Sequence, residues 1–264
     1  MMPQRQDGTM RKRVAFGTDR AAALNPLLSF VEDWMQAPGG YVEHMHRGFQ
    51  TVTLVFAGEV LSADTYGEKR ILTAGDVQWI TTGSGVLHAE MAEGEGEAHM
   101  IQLWLNLPAD QKLCAPRFQT LAAAQVPTVE RPGAKIRVIA GELDGVLGGA
   151  QAAIPAQVLD LRLEAGASLA LPVASGQLGV VYVAAGEPVI GPHPARPGDV
   201  VHFSSKISEP LLLSCGQPCH LVLVSAAPLG EPVIVNGPFI MNTAAQIQQA
   251  YADFRDNSFG VPKR

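Results

Sequence analysis

Cysteine is scarce: Cys114, Cys215 and Cys219 are the three in 264 residues. Three unevenly spaced thiols build no disulfide framework and fit a reducing compartment, so the cytoplasm is expected. Basic residues are also few, with 19 Lys and Arg against 25 Asp and Glu and a formal net charge of −6. Direct nucleic-acid binding through counterion release needs a basic stripe, and no Lys/Arg cluster extends beyond Arg11 to Arg13. Long apolar runs are missing too. "AAALNPLL" and "PLLLSC" fall far short of the roughly 20 residues a membrane helix needs, so a soluble protein without a membrane partner is expected. The start, "MMPQRQDGTMRKRVAFGTDR", has a basic patch but neither an apolar core nor a small-residue cleavage site, and does not read as a secretory leader. "GELDGVLGGA" lacks the lysine of a phosphate-binding loop, and "TTGSGVLH" lacks the spacing of a nucleophile elbow.

What is present points to β-structure. With 47% hydrophobic and 17% charged residues the chain can fill packed cores, and its length suggests about two domains. "TVTLVFAG", "DVQWITTG", "HMIQLWLNL", "AKIRVIAG", "VLDLRL", "GVVYVAAG", "DVVHF", "LLLSC" and "CHLVLVSA" are short, rich in β-branched, aromatic and leucine residues, and punctuated by Gly, Pro or Asp. That pattern predicts an antiparallel sandwich or barrel. One helix is predicted, in "NTAAQIQQAYADFRD". There Thr243 and Gln246 make a capping box, and Ile247, Tyr251 and Phe254 form one apolar stripe. "AAALNPLLSF" stays open between strand and helix, Pro26 opposing a continuous helix. "VFAGEVLSADTYGEKRILTAGDVQWI" is echoed by "VAAGEPVIGPHPARPGDVVHF", so two similar β units stand in tandem. Residues 107 to 129 have few strand signals and are expected to bridge them.

Alternation in a strand puts side chains i and i+2 on one face, so His44 and His46 project together, and His88 and Glu90 repeat the spacing. Two such pairs on adjacent strands bring three imidazoles and a carboxylate into one barrel. A lone histidine in a strand is usually a satisfied structural residue, but burying four polar groups with no common partner would cost several kcal/mol. This donor set suits one divalent metal, with Fe(II), Mn, Ni, Cu and Zn all compatible. An octahedral ion would keep two adjacent open positions, a catalytic geometry. The repeat acts as an internal control. Ungapped alignment sets His44, His46, His88 and Glu90 opposite Pro172, Ala174, Leu211 and Leu213, so the second unit is expected to hold no metal. His99 is open between a role beside the site, a pocket position and exposure. His193 and His202 read as structural, and Cys215, Cys219 and His220 lack a fourth zinc ligand.

"HMHRGFQTVTLVFAGEV", "LTAGDVQWITTGSGVLHAEM", "IQLWLNLP…APRFQTL" and "EPVIVNGPFIMNTAAQIQQAYADFRDNSFG" together resemble the pirin family, bicupins of the cupin superfamily, over roughly residues 24 to 260. The resemblance implies an all-β fold of two tandem jelly-roll cupin barrels with a C-terminal α-helix. We divide the chain into a metal-binding cupin over 1–120 and a metal-free cupin over 121–264 that ends in the helix. It implies a metal, most often iron as Fe(II), on His44, His46, His88 and Glu90. Some bacterial pirins are quercetin 2,3-dioxygenases, which implies a metal-dependent dioxygenase acting on a flavonol or another enolisable small molecule with O2, Glu90 being the candidate base. The alternatives are a regulatory protein whose metal sets its conformation for transcription or metabolic-enzyme partners, and a cupin isomerase or hydrolase. One departure stands out: Gln50 replaces the family's glutamate after His-x-His-Arg-Gly-Phe. Strand parity allows Gln50 to face the interior with His46, and Gln50 and His99 are candidate orienting groups beside the metal.

Overall fold

The computed structural model describes residues 9–204, 209–256 and 258–259. The start of the chain as far as Gly8, part of the stretch read above as no leader, lies outside the described residues. Two compact units are present, residues up to Ala123 together with those from Leu229 onward, and residues 124–228. No helix among the described residues is long and apolar enough to cross a membrane.

In the first unit the strands are β1 (Met10–Phe16), β2 (Leu27–Met35), β3 (Gly40–His46), β4 (Phe49–Ala57), β5 (Glu59–Asp64), β6 (Lys69–Thr73), β7 (Val77–Thr81), β8 (Val86–Glu93), β9 (Ala98–Asn106) and β10 (Arg117–Leu121). They form two sheets, β1-β2-β9-β4-β7-β10 and β3-β8-β5-β6. The ambiguous "AAALNPLLSF" resolves into one helical turn, α1 (Ala21–Leu24), followed directly by β2. Strand β1 is a basic edge strand without the apolar signature of its neighbours, and β10 falls in the stretch read as strand-poor. In β8, "VLHAEMAE", buried and half-buried positions alternate through the whole strand, which puts His88 and Glu90 inside with Val86 and Ala92.

The second unit contains β11 (Thr128–Arg131), β12 (Ala134–Ala140), a small hairpin of β13 (Glu142–Leu143) and β14 (Val146–Leu147), β15 (Ala156–Leu163), β16 (Ser168–Leu171), β17 (Leu178–Ala185), β18 (Pro188–Ile190), β19 (His193–Pro194), β20 (Val200–Ser204), β21 (Leu211–Cys215) and β22 (Cys219–Ala226). Its sheets run β11-β12-β15-β22-β17-β20 and β16-β21-β18-β19. The order β1-β2-β9-β4-β7 thus recurs as β12-β15-β22-β17-β20, and β3-β8-β5-β6 recurs as β16-β21-β18-β19. The tandem cupin organisation is borne out in nine corresponding strands of each unit, while β10, β11 and the β13–β14 hairpin have no counterpart in this order.

Register sharpens the internal comparison. His44 pairs with His88, and in the second unit Leu171 pairs with Leu211. His44 therefore corresponds to Leu171 and not Pro172, because the second unit has one residue more between this position and the shared turn glycine (Leu171 to Gly186 against His44 to Gly58), which an ungapped alignment ignores; β3 also bulges between Tyr41 and His44. On the other strand, Glu90 faces Ser62 as Leu213 faces Ile190. Leu169, Leu171, Val181, Ile190, Leu213 and Leu223 pack into one apolar core where the first unit has polar groups.

A further correspondence lies on the opposite face of the larger sheets. In the first unit the buried Glu32 accepts from Arg13 Nη1 at 2.9 Å and meets His99 Nε2 at 2.9 Å. In the second, the buried Asp160 accepts from Arg137 Nη1 at 2.9 Å and meets His220 Nε2 at 2.6 Å. The pairings Arg13 with Glu32 and Arg137 with Asp160 occupy equivalent ladder positions.

The sequence reading gives the terminal helix to the second cupin; the structure places it with the first. Residues from Leu229 onward include β23 (Ile234–Asn236), β24 (Phe239–Met241) and α2 (Ala244–Arg255). Helix α2 starts at the predicted capping box, Thr243 accepting from the Gln246 N–H while the Gln246 side chain returns to the Thr243 N–H. The segment docks against two glycine turns of the first unit. Gly48 has φ +87°, and a Cβ there would lie 2.1 Å from the Ile240 carbonyl oxygen. At Gly85 the Phe259 ring fills the space of a side chain, at 2.9 Å from an added Cβ. The buried Lys112 ammonium closes the joint, donating to the carbonyls of Gly48 (2.7 Å) and Ile240 (2.8 Å) and to Asn106 Oδ1. Nothing in the strand periodicity signals this docking, because its determinants are glycines and one lysine in loops.

Candidate metal centre

Because β3 and β8 are adjacent and His44 faces His88 across them, the two i,i+2 pairs meet inside the first barrel. One nitrogen from each of His44, His46 and His88 lies within 4.8 Å of the others, and all three residues are buried. His44 Nδ1 meets the Val42 carbonyl at 2.8 Å, which fixes the tautomer with a proton on Nδ1 and leaves Nε2 with its lone pair. That Nε2 lies 3.0 Å from His46 Nε2. Two imidazole donors at right angles around an ion, each about 2.1 Å from it, would be about 3.0 Å apart. His88 is buried with neither ring nitrogen hydrogen-bonded. Buried polar atoms of this kind normally have partners. The histidines therefore fit a metal ion by donor chemistry, convergence and unmet polar demand.

Electrostatics agree. Burial, with His88 beside it, lowers the His44 pKa to about 4. Burial alone lowers His88 to about 4, and burial followed by its histidine neighbours takes His46 well below the ordinary value. At neutral pH all three are the uncharged ligands that a metal requires.

Glu90 is buried next to this group without joining it. Its Oε1 accepts from Thr53 Oγ1 at 2.9 Å and its Oε2 from Gln102 Nε2 at 2.5 Å. Burial raises its pKa, opposed by the charge interaction with His44 and by these two hydrogen bonds. Thr53 and Gln102 face each other across β4 and β9. Sequence reasoning missed both, although a glutamine inside the apolar run "IQLWL" is the signal of a buried polar partner. Their counterparts Val181 and Leu223 face each other across β17 and β22, so the whole polar network is absent from the second barrel.

Two expected neighbours lie elsewhere. Gln50 is buried in β4, but its Oε1 accepts from Trp79 Nε1 at 3.0 Å. It points to the opposite face from Thr51 and Thr53, so the parity argument from His46 fails. A turn at Arg47 and Gly48 carries the chain from one sheet to the other, and parity does not cross it. His99 is bonded to Glu32 and stacked on Trp34 with ring centroids 4.8 Å apart, also facing away from Gln102. Neither residue flanks the histidines.

A cavity of about 530 Å³ opens onto His44, with Trp104, Val31, Pro238 and Met45 among its walls. Trp104 packs edge-on to His46 at 5.1 Å between ring centroids. Arg47, next in sequence to His46, is buried and donates to the Ser84 carbonyl (2.7 Å) and to Asp253 of α2 (2.6 Å) while lying over the Phe259 ring. The terminal helix is thereby tied to the strand carrying two of the histidines.

Two cupin barrels, one with a buried histidine cluster at the foot of a cavity and one filled with leucine and valine, define a bicupin with a single candidate metal centre among the described residues. Comparison with known proteins makes the class specific. The Pirin family model matches residues 9–105 and the Pirin C-terminal cupin domain model matches residues 158–260. Human Pirin is 36% identical over 258 residues, covering 96% of this chain and 89% of its own. A tomato (Solanum lycopersicum) pirin-like protein is 34% identical over 94% of this chain and 86% of its own. The chain belongs to the pirin family. Its fold superimposes on a quercetin 2,3-dioxygenase from Acinetobacter baumannii with a TM-score of 0.86 at 33% identity, covering 96% of this chain and 92% of the other. The bacterial pirin YhhW from Escherichia coli, solved in complex with nickel(II), shares the fold at a TM-score of 0.69 and 17% identity, over 86% of this chain and 96% of the other.

Proposed function

We propose that this pirin is a metal-dependent dioxygenase that opens the ring of quercetin or a similar flavonol or enolisable hydroxy-ketone with O2, in the cytoplasm. The observation that carries this reading is the buried trio His44, His46 and His88, with His88 unpartnered, at the foot of a cavity sized for a small molecule. The quercetin 2,3-dioxygenase fold relative supports the activity, and the nickel(II) complex of a more distant pirin supports a divalent ion. Iron(II) is the first candidate, and nickel, manganese, copper and zinc suit the same donors.

In this reading His44, His46 and His88 would hold the ion, and Glu90 would leave Thr53 and Gln102 to complete the set. When bound, the metal supplies Lewis acidity toward the substrate's oxygens and a route for its electrons to dioxygen. Glu90 takes the hydroxyl proton of the substrate at a carboxylate oxygen, its pKa raised by burial toward that of a competent base. Thr53 and Gln102 hold that carboxylate in place until an ion binds, and the apolar cavity walls exclude water from the deprotonated substrate.

The test is oxygen uptake with quercetin by protein loaded with one iron(II) per chain, beside His46→Ala. Uptake matched to quercetin consumption by the wild type alone is expected. A loaded wild type that takes up no more oxygen than the variant refutes the dioxygenase reading. A protein partner retained from extract by metal-loaded and not metal-free protein would then carry the regulatory alternative.

A further inference from the structure

Helix α2 carries more exposed apolar surface than its docking requires. Of the stripe Ile247, Tyr251 and Phe254, only Ile247 is buried, together with Ala250. Tyr251 and Phe254 each stay 37% exposed, and both line the cavity that opens onto His44. Their positions are fixed. The Tyr251 hydroxyl donates to Asn236 Oδ1 at 2.8 Å and its ring packs edge-on to Phe239 at 4.8 Å. Phe254 meets Phe259 edge-on at 6.0 Å, and the intervening Asp253 is held by Arg47. Across the cavity, β1 contributes Val14, 57% exposed, and β2 contributes Val31. The walls are thus mostly rings and aliphatics, with the His44 imidazole among them, small polar groups at Thr18 and Ser29, and one charged side chain, Glu43. Such a cavity favours a flat, uncharged, largely apolar molecule with polar atoms at one edge.

We infer that α2 is the ligand-selecting wall of the site: Tyr251 and Phe254 grip the distal ring of a planar aromatic hydroxy-ketone whose oxygen-bearing edge is held at the histidine centre. This inference rests on the reading of His44, His46 and His88 as a metal centre. It assigns a specificity role to a segment that lies in sequence far beyond the last histidine ligand, His88. The size of the ligand is then set by α2, and its attachment by the barrel.

Ligand binding to nickel(II)-loaded protein tests this without turnover. The probes are 3-hydroxy-4-pyranone, which has the chelating edge and one ring, and 3-hydroxyflavone, which adds the distal ring. Binding is followed by ligand absorbance and by quenching of tryptophan emission, Trp104 lying in the cavity wall. Phe254→Ala is expected to weaken 3-hydroxyflavone by about tenfold, the equivalent of uncovering roughly half an aromatic ring, and to leave the pyranone within about twofold. Phe254→Leu, which keeps most of the apolar bulk and loses the flat face, is expected to show the same preference in smaller measure, and guards against a helix loosened by alanine. If either variant leaves 3-hydroxyflavone unchanged, or weakens both probes equally with α2 intact by thermal melt, the inference is overturned while the metal reading stands. If the loaded wild type does not bind even the pyranone, the metal reading fails and takes the inference with it.

Discussion

Replacing His88 with leucine should make the metal-free protein more stable. His88 is 1% exposed, and neither of its ring nitrogens has a hydrogen-bond partner. A buried polar group left unpaired costs about 1–3 kcal/mol, and a neutral imidazole has one donor and one acceptor to satisfy. Leucine is close to histidine in volume and occupies the corresponding position in the second unit, where Leu211 pairs with Leu171 as His88 pairs with His44. Removing the unmet demand without opening a cavity should stabilise the first unit by about 2 kcal/mol or more. For a domain of this size that is a rise of roughly 4–8 °C in its melting transition. Metal reverses the order. At one hundred times its dissociation constant an ion adds about 2.7 kcal/mol to the wild type and far less to His88→Leu, which has lost a ligand. Scanning calorimetry of both proteins, stripped by chelator and then loaded, reads all four values. A stripped His88→Leu protein no more stable than the stripped wild type refutes the argument, because it would show that this imidazole is already satisfied and not held in readiness for an ion.

Arg47→Met keeps the apolar length of the side chain over Phe259 but loses the bonds to Ser84 and Asp253. Asp253 is partly exposed and recovers hydration, so a loss of about 2–3 kcal/mol in urea unfolding is expected, with α2 exchanging its amide hydrogens first; a loss below about 0.5 kcal/mol would contradict the clasp. Asp33 tests pH dependence. Burial raises its pKa to about 6 from 3.8, Lys12 and the Tyr41 hydroxyl opposing. The folded state therefore holds this proton more tightly than the unfolded state. The stability penalty is absent below about pH 4, grows as pH rises and is complete above about pH 6, approaching about 3 kcal/mol. Asp33→Asn, which still accepts from Tyr41, should gain in stability relative to the wild type across that window, and a difference independent of pH would show that Asp33 is not the titrating group.

Nine barrel strands, β4, β7, β9, β12, β15, β17, β20, β21 and β22, were legible because β-branched and aromatic runs end at Gly, Pro or Asp, and the helix start because Thr243 and Gln246 are a local motif. The histidine centre was legible because i and i+2 share a face within one strand, an inference that needs no knowledge of the rest of the fold. Gln50 shows where that logic stops. It lies four positions beyond His46, but a turn between two sheets intervenes, and parity is a property of one strand alone. The bulge in β3 and the docking of the C-terminal segment on Gly48 and Gly85 are likewise tertiary facts, decided by partners distant in sequence. The Glu90 anchors sit between these extremes. Thr53 and Gln102 stand out as polar residues in apolar strands, but that they share one carboxylate emerges only from register.

The two carboxylates clasped by arginine and histidine outside the barrels bear on how such a chain acquires chemistry. Arg13, Glu32 and His99 recur as Arg137, Asp160 and His220, at matching places in two halves whose interiors have nothing polar in common at the centre. The halves agree on the exterior ion clasp and the path of the chain, and disagree on the lining. Architecture and reactivity are thus written on opposite faces of the same strands. A barrel of this kind can be emptied of its chemistry, or given a new one, through the inward residues alone, while the outward ones go on holding its shape.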